Sequence, residues 1–516
     1  MNSNSANNKR IAKNTLLLYV RMLFTMAIGL YTGRVVLNAL GVTDYGIYNV
    51  VGGVIAMLGF LTNSMSAASS RYITYDLGKG DMSVMKRTFG NILSIHFIIA
   101  GVILLFGETI GLWFVLNKLQ IPADRMTAAL WVYQFSVLSS ILGVISVPYN
   151  AAIIAHERMK AFAYIGMVDA VLKLLIVFLL LAIPFDKLKV YAFLFFSIQV
   201  FDRIVYGVYC TRHFQETKVG PMFNGKLLKE IFCFAVWTMN GSLAVIGYTQ
   251  GINILLNIFF GAAVNAARGT AVQVQGVVQN FCHNFQMAIN PQLTKSYAQN
   301  DFIHMHKLVE FSSKFSFYLV LFLSLPLMLE APLILKWWLG FVPEHTVNFL
   351  RFILCSSILT TISNPLIISV HATGHIKRFQ AIEGTMLLSI VPIAYILLKL
   401  FNIAPEYVFC VHICVEACTQ CVRAYIVLPM ISMKMLDYFK GVIVPIFKVV
   451  IISPIIPLLL YLTISQSIIS FLTICMTSML SVLIVVYFFG CKKQERILVK
   501  EKITQFMNKR KIHNKN

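Results

Sequence analysis

Apolar stretches long enough to cross a lipid bilayer follow one another along almost the whole of this 516-residue chain. Hydrophobic residues make up 58% of it and charged residues only 12%, whereas a soluble domain carries about one quarter charged residues. A helix that rises about 1.5 Å per residue needs about 20 apolar residues to cross a bilayer. The sequence therefore predicts an all-α integral membrane protein with about fourteen transmembrane helices. The predicted spans are 14–38, 46–69, 89–116, 127–154, 161–183, 190–211, 231–257, 264–290, 309–335, 346–370, 379–400, 406–429, 441–463 and 467–490.

Lysine and arginine are concentrated in every second loop between these spans, and in the tail from Lys492 to Lys515. Because cytoplasmic loops carry the excess of basic residues, this alternation predicts a multi-pass protein with both termini in the cytoplasm. The net charge of +22 is thus explained by topology and by contact with anionic membrane lipid. It does not indicate nucleic-acid binding, since no basic folded domain is present to carry it.

A weak internal repeat indicates a duplicated helical bundle. Asn150, in a stretch that ends one apolar helix, matches Asn364, and His156 matches His371. Other matched pairs are also about 215 to 220 residues apart, as expected for one bundle duplicated. We therefore predict two pseudo-symmetric six-helix bundles and two additional C-terminal helices. The predicted boundaries are a cytoplasmic N-terminus at 1–13, bundles at 14–229 and 230–430, two helices at 431–490 and a basic cytoplasmic tail at 491–516.

Polar side chains within the seventh and eighth predicted spans mark a candidate substrate cavity. A helix turns by 100° per residue, and on the eighth span six polar side chains fall within an arc of about 80° around the helix axis. They are Arg268, Gln275, Gln279, His283, Gln286 and Asn290, and the seventh span adds Asn253. Amides can hold membrane helices together, but that role needs only one or two of them. The number of polar groups favours a cavity wall suited to sugar hydroxyls, which donate and accept hydrogen bonds.

Arginines inside the membrane suggest an anionic ligand. The first span carries Arg21 and Arg34 and no acidic residue. Together with Arg268 they could form a cationic cavity for a headgroup such as a pyrophosphate, because guanidinium stays charged and binds phosphate through two hydrogen bonds. The alternative, that Arg21 and Arg34 each extend to a membrane interface, stays open.

Asp169 and Lys173 stand four residues apart near the middle of the fifth span. They could form an ion pair that lowers the cost of burying both charges. They could also couple transport to an ion or gate it, in which case an H⁺ or Na⁺ gradient would drive the cycle. Both interpretations stay open, and no other cofactor is expected.

No catalytic arrangement emerges from the sequence. It contains no glycine-rich phosphate loop and no acidic loop cluster that could hold Mg²⁺. Glu157 and Arg158 are expected to be solvated loop charges. Four cysteines, Cys410, Cys414, Cys418 and Cys421, share one face of a helix, so they cannot surround one metal ion and are expected to pack as small apolar residues. We expect neither an enzyme nor a metal site.

The link between the first two spans resembles the corresponding segment of polysaccharide flippases. The matching residues are Gly41, Asp44, Tyr45, Gly46 and Tyr48. This family belongs to the multidrug/oligosaccharidyl-lipid/polysaccharide exporter (MOP) superfamily. Physically, the motif predicts a tight turn capped by Asp44. The loops at 155–160 and 371–377 are also similar to cytoplasmic turns of that family.

The resemblance implies alternating access around a central cavity in a bacterial inner membrane. The implied substrate is a polyprenyl-pyrophosphate-linked oligosaccharide that moves from the cytoplasmic to the outer leaflet for surface polysaccharide synthesis, such as O-antigen. Other polysaccharide assembly proteins are then candidate partners. A cation-coupled multidrug antiporter of the same superfamily is the nearest alternative, since one intramembrane acid such as Asp169 can suffice. A membrane glycan polymerase is less favoured, because a long outer loop and an acidic catalytic cluster are both missing.

Overall fold

The computed structural model describes residues 2–56, 59–117, 119, 121–182, 184–339, 342–465, 467–493 and 495–497. Helix is the regular structure throughout these ranges, with no strand among them. The α-helices in chain order are α1 (Asn2–Ala56), α2 (Gly59–Lys79), α3 (Met82–Phe106), α4 (Leu112–Asn117), α5 (Met126–Ala155), α6 (Met159–Ala182), α7 (Lys187–His213), α8 (Gly225–Phe260), α9 (Ala262–Ala298), α10 (Phe302–Leu329), α11 (Ala331–Leu339), α12 (Thr346–Thr360), α13 (Ser363–Thr373), α14 (Lys377–Leu388), α15 (Ile390–Phe401), α16 (Tyr407–Met430), α17 (Met435–Tyr438), α18 (Val444–Ile452), α19 (Ile455–Thr463) and α20 (Ile468–Val485).

The predicted all-α membrane class is confirmed. Ten helical stretches in the described part of the chain are long and apolar enough to cross a membrane. The four other predicted spans lie in α1, across α1 and α2, in α7 and in α9, all of which are helical over the described residues. About fourteen membrane helices is therefore consistent with the structure.

The predicted turn between the first two spans coincides with a break in α1 at Gly41. Its backbone (φ 78°, ψ 169°) is non-helical, in a region of φ that glycine adopts at little cost. Asp44 has a different role from the predicted cap: its carboxylate accepts hydrogen bonds from the Arg125 guanidinium, one of them at 2.8 Å from Nε. Arg125 also binds Asp186, which caps α7, at 3.0 Å. The motif thus ties α1 to two other links of the chain.

Asp186 shows the electrostatics of this cluster. Partial burial raises its pKa, but the Arg125 guanidinium and the amides of Leu188 and Lys189 outweigh burial and hold the pKa below its ordinary value. Because the folded pKa is depressed, the stabilisation is present at neutral pH and is lost only as the pH falls below about 4.

The chain divides into two compact units. Unit 1 comprises Met1–Ile246, Met287–Met305 and Ile368–Thr385, and unit 2 comprises Gly247–Gln286, His306–Ile367 and Met386–Asn516. These limits differ from those of the two predicted bundles, because α9 contributes to both units and the second half of α13 joins unit 1. The bundle boundaries and their pseudo-symmetry therefore stay a prediction. One feature of the repeat is present in both units: the Oδ1 atoms of Asn150 and Asn364 are each buried without a hydrogen-bond partner among the described residues.

In unit 1, Arg71 of α2 fastens the link between α13 and α14. Its Nε donates to the carbonyl of His371 at 3.0 Å, and its Nη2 donates to the carbonyl of Ala372 at 3.3 Å. Gly374 of this link has a φ of +80°, and a Cβ there would lie 2.7 Å from Arg71 Nη2. The close approach of the guanidinium therefore requires glycine at this position.

We expect Gly374→Ala to destabilise the protein more than Gly261→Ala does. Both glycines have a positive φ, so alanine costs about 1–2 kcal/mol of backbone strain at either position. A Cβ at Gly261 would meet no atom within 4 Å, whereas at Gly374 it would displace Arg71 from its two carbonyls. Losing hydrogen bonds of a charged donor adds about 1.5–3 kcal/mol. Melting temperatures of the two purified variants measure the difference, and equal losses would show that the Arg71 contact contributes nothing.

In unit 2, the C-terminal segment packs on α10. Lys314 is fully buried, and its Nζ lies 2.9 Å from Glu495 Oε2. Glu310, one turn earlier on α10, pairs with Lys492, and the Tyr318 hydroxyl donates to the Gly490 carbonyl at 3.3 Å. The described end of the chain is thus held along one face of α10 by charge and hydrogen bonds.

Candidate functional site

Arg268 forms the centre of a polar cluster within unit 2. The residue is only 7% exposed on α9. Its guanidinium donates to Asn253 Oδ1 and, at 3.3 Å, to the Thr249 carbonyl, both on α8. Asn253 in turn donates to Gln250 at 3.0 Å. Arg268 forms no ion pair with any described residue, and its Nε is buried without a hydrogen-bond partner among them.

Two of the α9 amides hold unit 2 together. Gln275 donates to the Ser357 hydroxyl on α12 at 2.7 Å. Gln286 is 6% exposed and donates to the Ser316 hydroxyl on α10 at 3.0 Å and to the Thr361 carbonyl at 3.1 Å. These contacts correspond to the interhelical role that the sequence left as an alternative.

Other polar residues of α9 lie towards its surface. Gln273, Asn280 and His283 are exposed, and Gln279 is half-buried. Asn290 belongs to unit 1, where its Oδ1 is buried without a partner among the described residues. The predicted polar stripe therefore has two parts. Arg268, Gln275 and Gln286 bind neighbouring helices of unit 2. Gln279 and His283 lie nearer the surface of the unit. The cavity wall stays a prediction for the second part.

The apolar side chains of α9 differ in burial. Val277 is exposed, as a lipid-facing residue can be, whereas Val278 and Ile289 are buried. Helical periodicity alone does not identify which of these side chains other helices cover.

Arg21 lies in unit 1, on α1, and its guanidinium carbon is 4.4 Å from the centre of the Phe162 ring. A Cβ on Gly166 would lie 3.1 Å from Arg21 Cδ, so the helix α6 approaches the arginine closely. Like Arg268, Arg21 has a buried Nε without a partner and no ion pair among the described residues. The Arg34 backbone is part of α1, but its side chain lies outside the described residues.

Asp169 and Lys173 form the predicted intrahelical pair on α6, with Lys173 Nζ 2.8 Å from Asp169 Oδ2. A third residue joins them: Asp202 on α7 places its carboxyl group near that of Asp169. The Oδ1 atoms of both aspartates are buried without a donor among the described residues. Because two carboxylate oxygens can share a hydrogen bond only through a proton, this pair can hold one proton or a small cation.

Sequence reasoning missed Glu157, which is buried rather than solvated. It lies in the short link between α5 and α6, with φ of 57°. Its side chain is 1% exposed and pairs at 2.9 Å with Lys295 of α9 and with Arg10 of α1. Gln292 adds a hydrogen bond at 3.2 Å. Unit 1 thus assembles three distant segments of the chain around one carboxylate, and no local pattern in the sequence indicates it.

The neighbouring His156 is held on the other side of the same link. Its ring stacks on Phe214 at 4.1 Å, and its Nε2 lies 2.5 Å from the buried carboxylate of Glu216. Burial raises the pKa of Glu216, but the hydrogen bond from His156 outweighs burial and leaves the pKa below its ordinary value. The carboxylate is therefore charged at neutral pH. The loop that resembles the family's cytoplasmic turn is rigidly positioned by these contacts.

The cysteine series on α16 does not pack between helices as expected. Cys414, Cys418 and Cys421 are exposed and Cys410 is half-buried. A helix surface that faces lipid accepts small apolar side chains as readily as a helix interface does, which explains the outcome.

No family model matches this sequence, and no curated protein matches it. Solved structures do match the fold. A crystal structure of MATE in the straight conformation aligns with a TM-score of 0.69 at 15% identity, covering 83% of this chain and 96% of that one. The chain therefore has the fold of this MATE structure. An outward-facing multidrug resistance MATE family transporter of the MOP superfamily gives the same TM-score and coverage at 14% identity. A MOP-superfamily transporter from Pyrococcus furiosus aligns with a TM-score of 0.65 at 14% identity, again over 83% and 96% of the two chains.

Proposed function

We propose that this protein is a flippase that moves a polyprenyl-pyrophosphate-linked oligosaccharide from the cytoplasmic to the outer leaflet by alternating access. The observation that carries the proposal concerns two arginines within predicted spans, Arg21 in unit 1 and Arg268 in unit 2. Each has a buried Nε without a partner and no acidic partner among the described residues. An uncompensated charge in this position costs several kcal/mol, and a phosphorylated headgroup would remove that cost.

The surroundings of Arg268 fit a sugar-bearing anion. Asn253 and Gln250 extend the cluster along α8, and Gln273, Asn280 and His283 line the exposed side of α9. Amides both donate and accept hydrogen bonds, which is the requirement of sugar hydroxyls. The Pyrococcus furiosus neighbour is described by reverse polarity of its binding pocket, which suggests a different function for that protein. A protein with this fold can therefore have a binding pocket of reversed polarity.

A cation-coupled multidrug antiporter is the second candidate, because several neighbours are MATE transporters. The Asp169 and Asp202 pair also provides the acidic site that cation coupling needs. The arginines weigh against this candidate, since a positive potential repels cationic drugs. In a flippase the same acidic pair would serve to couple transport to an H⁺ or Na⁺ gradient.

We expect Asp202→Asn to reduce gradient-driven transport by about tenfold or more, since removing this half-buried acid eliminates the shared proton. Exchange between equal substrate pools, which needs no gradient, should persist. The exposed Asp124 offers a matched control, and Asp124→Asn should leave both rates unchanged. Transport rates in proteoliposomes with and without a pH or sodium gradient give the comparison. If Asp202→Asn transports like the wild type under both gradients, this pair does not couple transport.

Proteoliposomes also distinguish the two candidate functions. The purified protein is reconstituted with a fluorescent short-chain pyrophosphate-linked saccharide, and loss of fluorescence to an external quencher is followed. A second preparation measures accumulation of the cation ethidium. The flippase proposal expects protein-dependent movement of the saccharide lipid and no ethidium transport. Ethidium transport without saccharide movement would favour the antiporter.

The proposal includes placement in a bacterial inner membrane with both termini in the cytoplasm. It rests on the distribution of basic residues in alternate loops. Membrane lipid and other polysaccharide assembly proteins are the partners that this placement would provide.

A further inference from the structure

Unit 1 contains a pocket of about 810 Å³, and neither Arg21 nor Arg268 is among the residues that line it. Its walls come from the end of α2, the start of α3, the first half of α8 and the link between α13 and α14. The basic residues of its loops predict that this end of the unit is on the cytoplasmic side. Pockets of about 300–1,000 Å³ hold ligands of drug size, so this one has room for more than a phosphate ion.

The pocket combines cations with aromatic rings. Five basic residues line it, against two acids, Asp76 and Glu230. The basic residues are Arg71, Lys79, Arg87, Lys226 and Lys377. Four aromatic residues, Tyr72, Tyr75, Phe234 and Trp237, share the wall. A surplus of positive charge beside flat apolar rings matches a ligand with an anionic part and a part that packs against ring faces.

The two acids are already engaged by neutral partners. Asp76 accepts a hydrogen bond from the Thr88 hydroxyl at 2.6 Å, and Glu230 accepts one from the Tyr72 hydroxyl at 3.2 Å. In contrast, Lys226 and Lys377 form no ion pair with any described residue, and both are exposed at the pocket. Lys377 Nζ lies 5.5 Å from the centre of the Trp237 ring. A cation and an indole ring are therefore presented side by side.

Arg71 holds the walls of the pocket in position rather than contacting a ligand. Its guanidinium stacks at 4.3 Å on Tyr72 and at 4.9 Å on Tyr75, and its donors are used by the carbonyls of His371 and Ala372. It thereby orients both tyrosine rings and fixes the link that carries Lys377. The lysines at the rim are left to contact a ligand.

We infer that this pocket binds the phosphorylated saccharide headgroup of a lipid on the cytoplasmic side, as a first docking site before transport. The lysines would neutralise the phosphates, and the Trp237 face would pack against the C–H face of a sugar ring. The identity of this ligand rests on the proposed function. An anionic phospholipid headgroup also carries a phosphate but lacks the pyranose ring. Dependence of binding on the sugar therefore distinguishes the saccharide lipid from a phospholipid.

The test measures binding to the full-length protein in detergent with farnesyl-pyrophosphoryl-N-acetylglucosamine as the probe. The double variant Lys226→Ala with Lys377→Ala should raise the Kd by about tenfold, because two charge contacts are lost. Lys229 and Arg378 are exposed basic residues near the pocket that do not line it, so the corresponding double alanine variant is the matched control. That control should leave the Kd within about twofold of wild type, since exposed cations away from the ligand contribute little.

Trp237→Leu tests the sugar contact separately. It should weaken binding of the saccharide probe and leave the affinity for farnesyl pyrophosphate unchanged. Equal losses in the two double variants, or wild-type binding of phosphatidylglycerol as tight as that of the probe, would overturn the inference. Unchanged melting temperatures verify that the variants are folded.

The docking site and the proposed function can be contradicted independently of each other. Proteoliposomes that do not move the saccharide lipid would remove the flippase proposal even where the pocket binds the probe. Normal flipping with normal probe binding in the Lys226 and Lys377 double variant would remove the docking site alone.

Discussion

Glu157→Ala lowers the free energy of unfolding by about 3–5 kcal/mol, the usual cost of removing one partner from a buried ion pair. The change leaves Lys295 without its acid and releases Arg10 and Gln292 from the same carboxylate. Alanine and glutamate have about the same backbone strain at this positive φ. The loss of free energy of unfolding therefore measures the contribution of the charge network. The melting temperature of the purified protein should fall by about 6 °C or more.

Two further variants make this result specific. Arg158 is the exposed neighbour in the same link, and Arg158→Ala should change the melting temperature by less than about 2 °C. Combining Glu157→Ala with Lys295→Met should recover part of the loss, because the double variant no longer buries an unpaired charge. A Glu157→Ala protein as stable as Arg158→Ala would contradict the central position of this carboxylate in unit 1.

Arg268→Met abolishes transport of the saccharide lipid and leaves the protein at least as stable as the wild type. This combination is expected because Arg268 is buried without an acidic partner among the described residues, so its charge costs stability and serves the ligand. Replacing a residue with a purely structural role would instead lower stability and leave the transport activity of the folded protein intact. Transport rates in proteoliposomes and melting temperatures in detergent give the two quantities.

Arg423 provides the matched comparison in the same unit. It is 3% exposed, lies 3.5 Å from Glu416 and donates to the Ser363 hydroxyl. Arg423→Met leaves Glu416 buried without its cation, so it should lower stability by about 3–5 kcal/mol. Full transport by Arg268→Met, or a stability loss as large as that of Arg423→Met, would show that Arg268 is a structural residue.

The sequence was sufficient for the fold class because each membrane helix leaves a local trace. Apolar length predicted the spans, and the glycine in the first link predicted the turn that the structure has at Gly41. Both signals depend only on residues close together in the chain. Tertiary contacts do not, and Asp44 therefore pairs with Arg125, 81 residues away, instead of capping a turn.

The candidate site was predictable in its residue types and less so in their contacts. Helical periodicity grouped Gln275 and Gln286 with His283 on one stripe of α9. Whether an amide is exposed or bound depends on which hydroxyl a neighbouring helix brings opposite it, here Ser357 and Ser316. The same limit explains Asp202, whose significance depends on the packing of α7 against α6 beside Asp169.

The most direct test of the flippase proposal is the lipid-linked glycan profile of cells that lack this protein. We predict that a complete polyprenyl-pyrophosphate-linked oligosaccharide accumulates on the cytoplasmic leaflet while surface polysaccharide is lost. The wild-type gene should restore the surface polymer, and Arg268→Met should not. An unchanged lipid-linked glycan profile with normal surface polysaccharide would contradict the proposal.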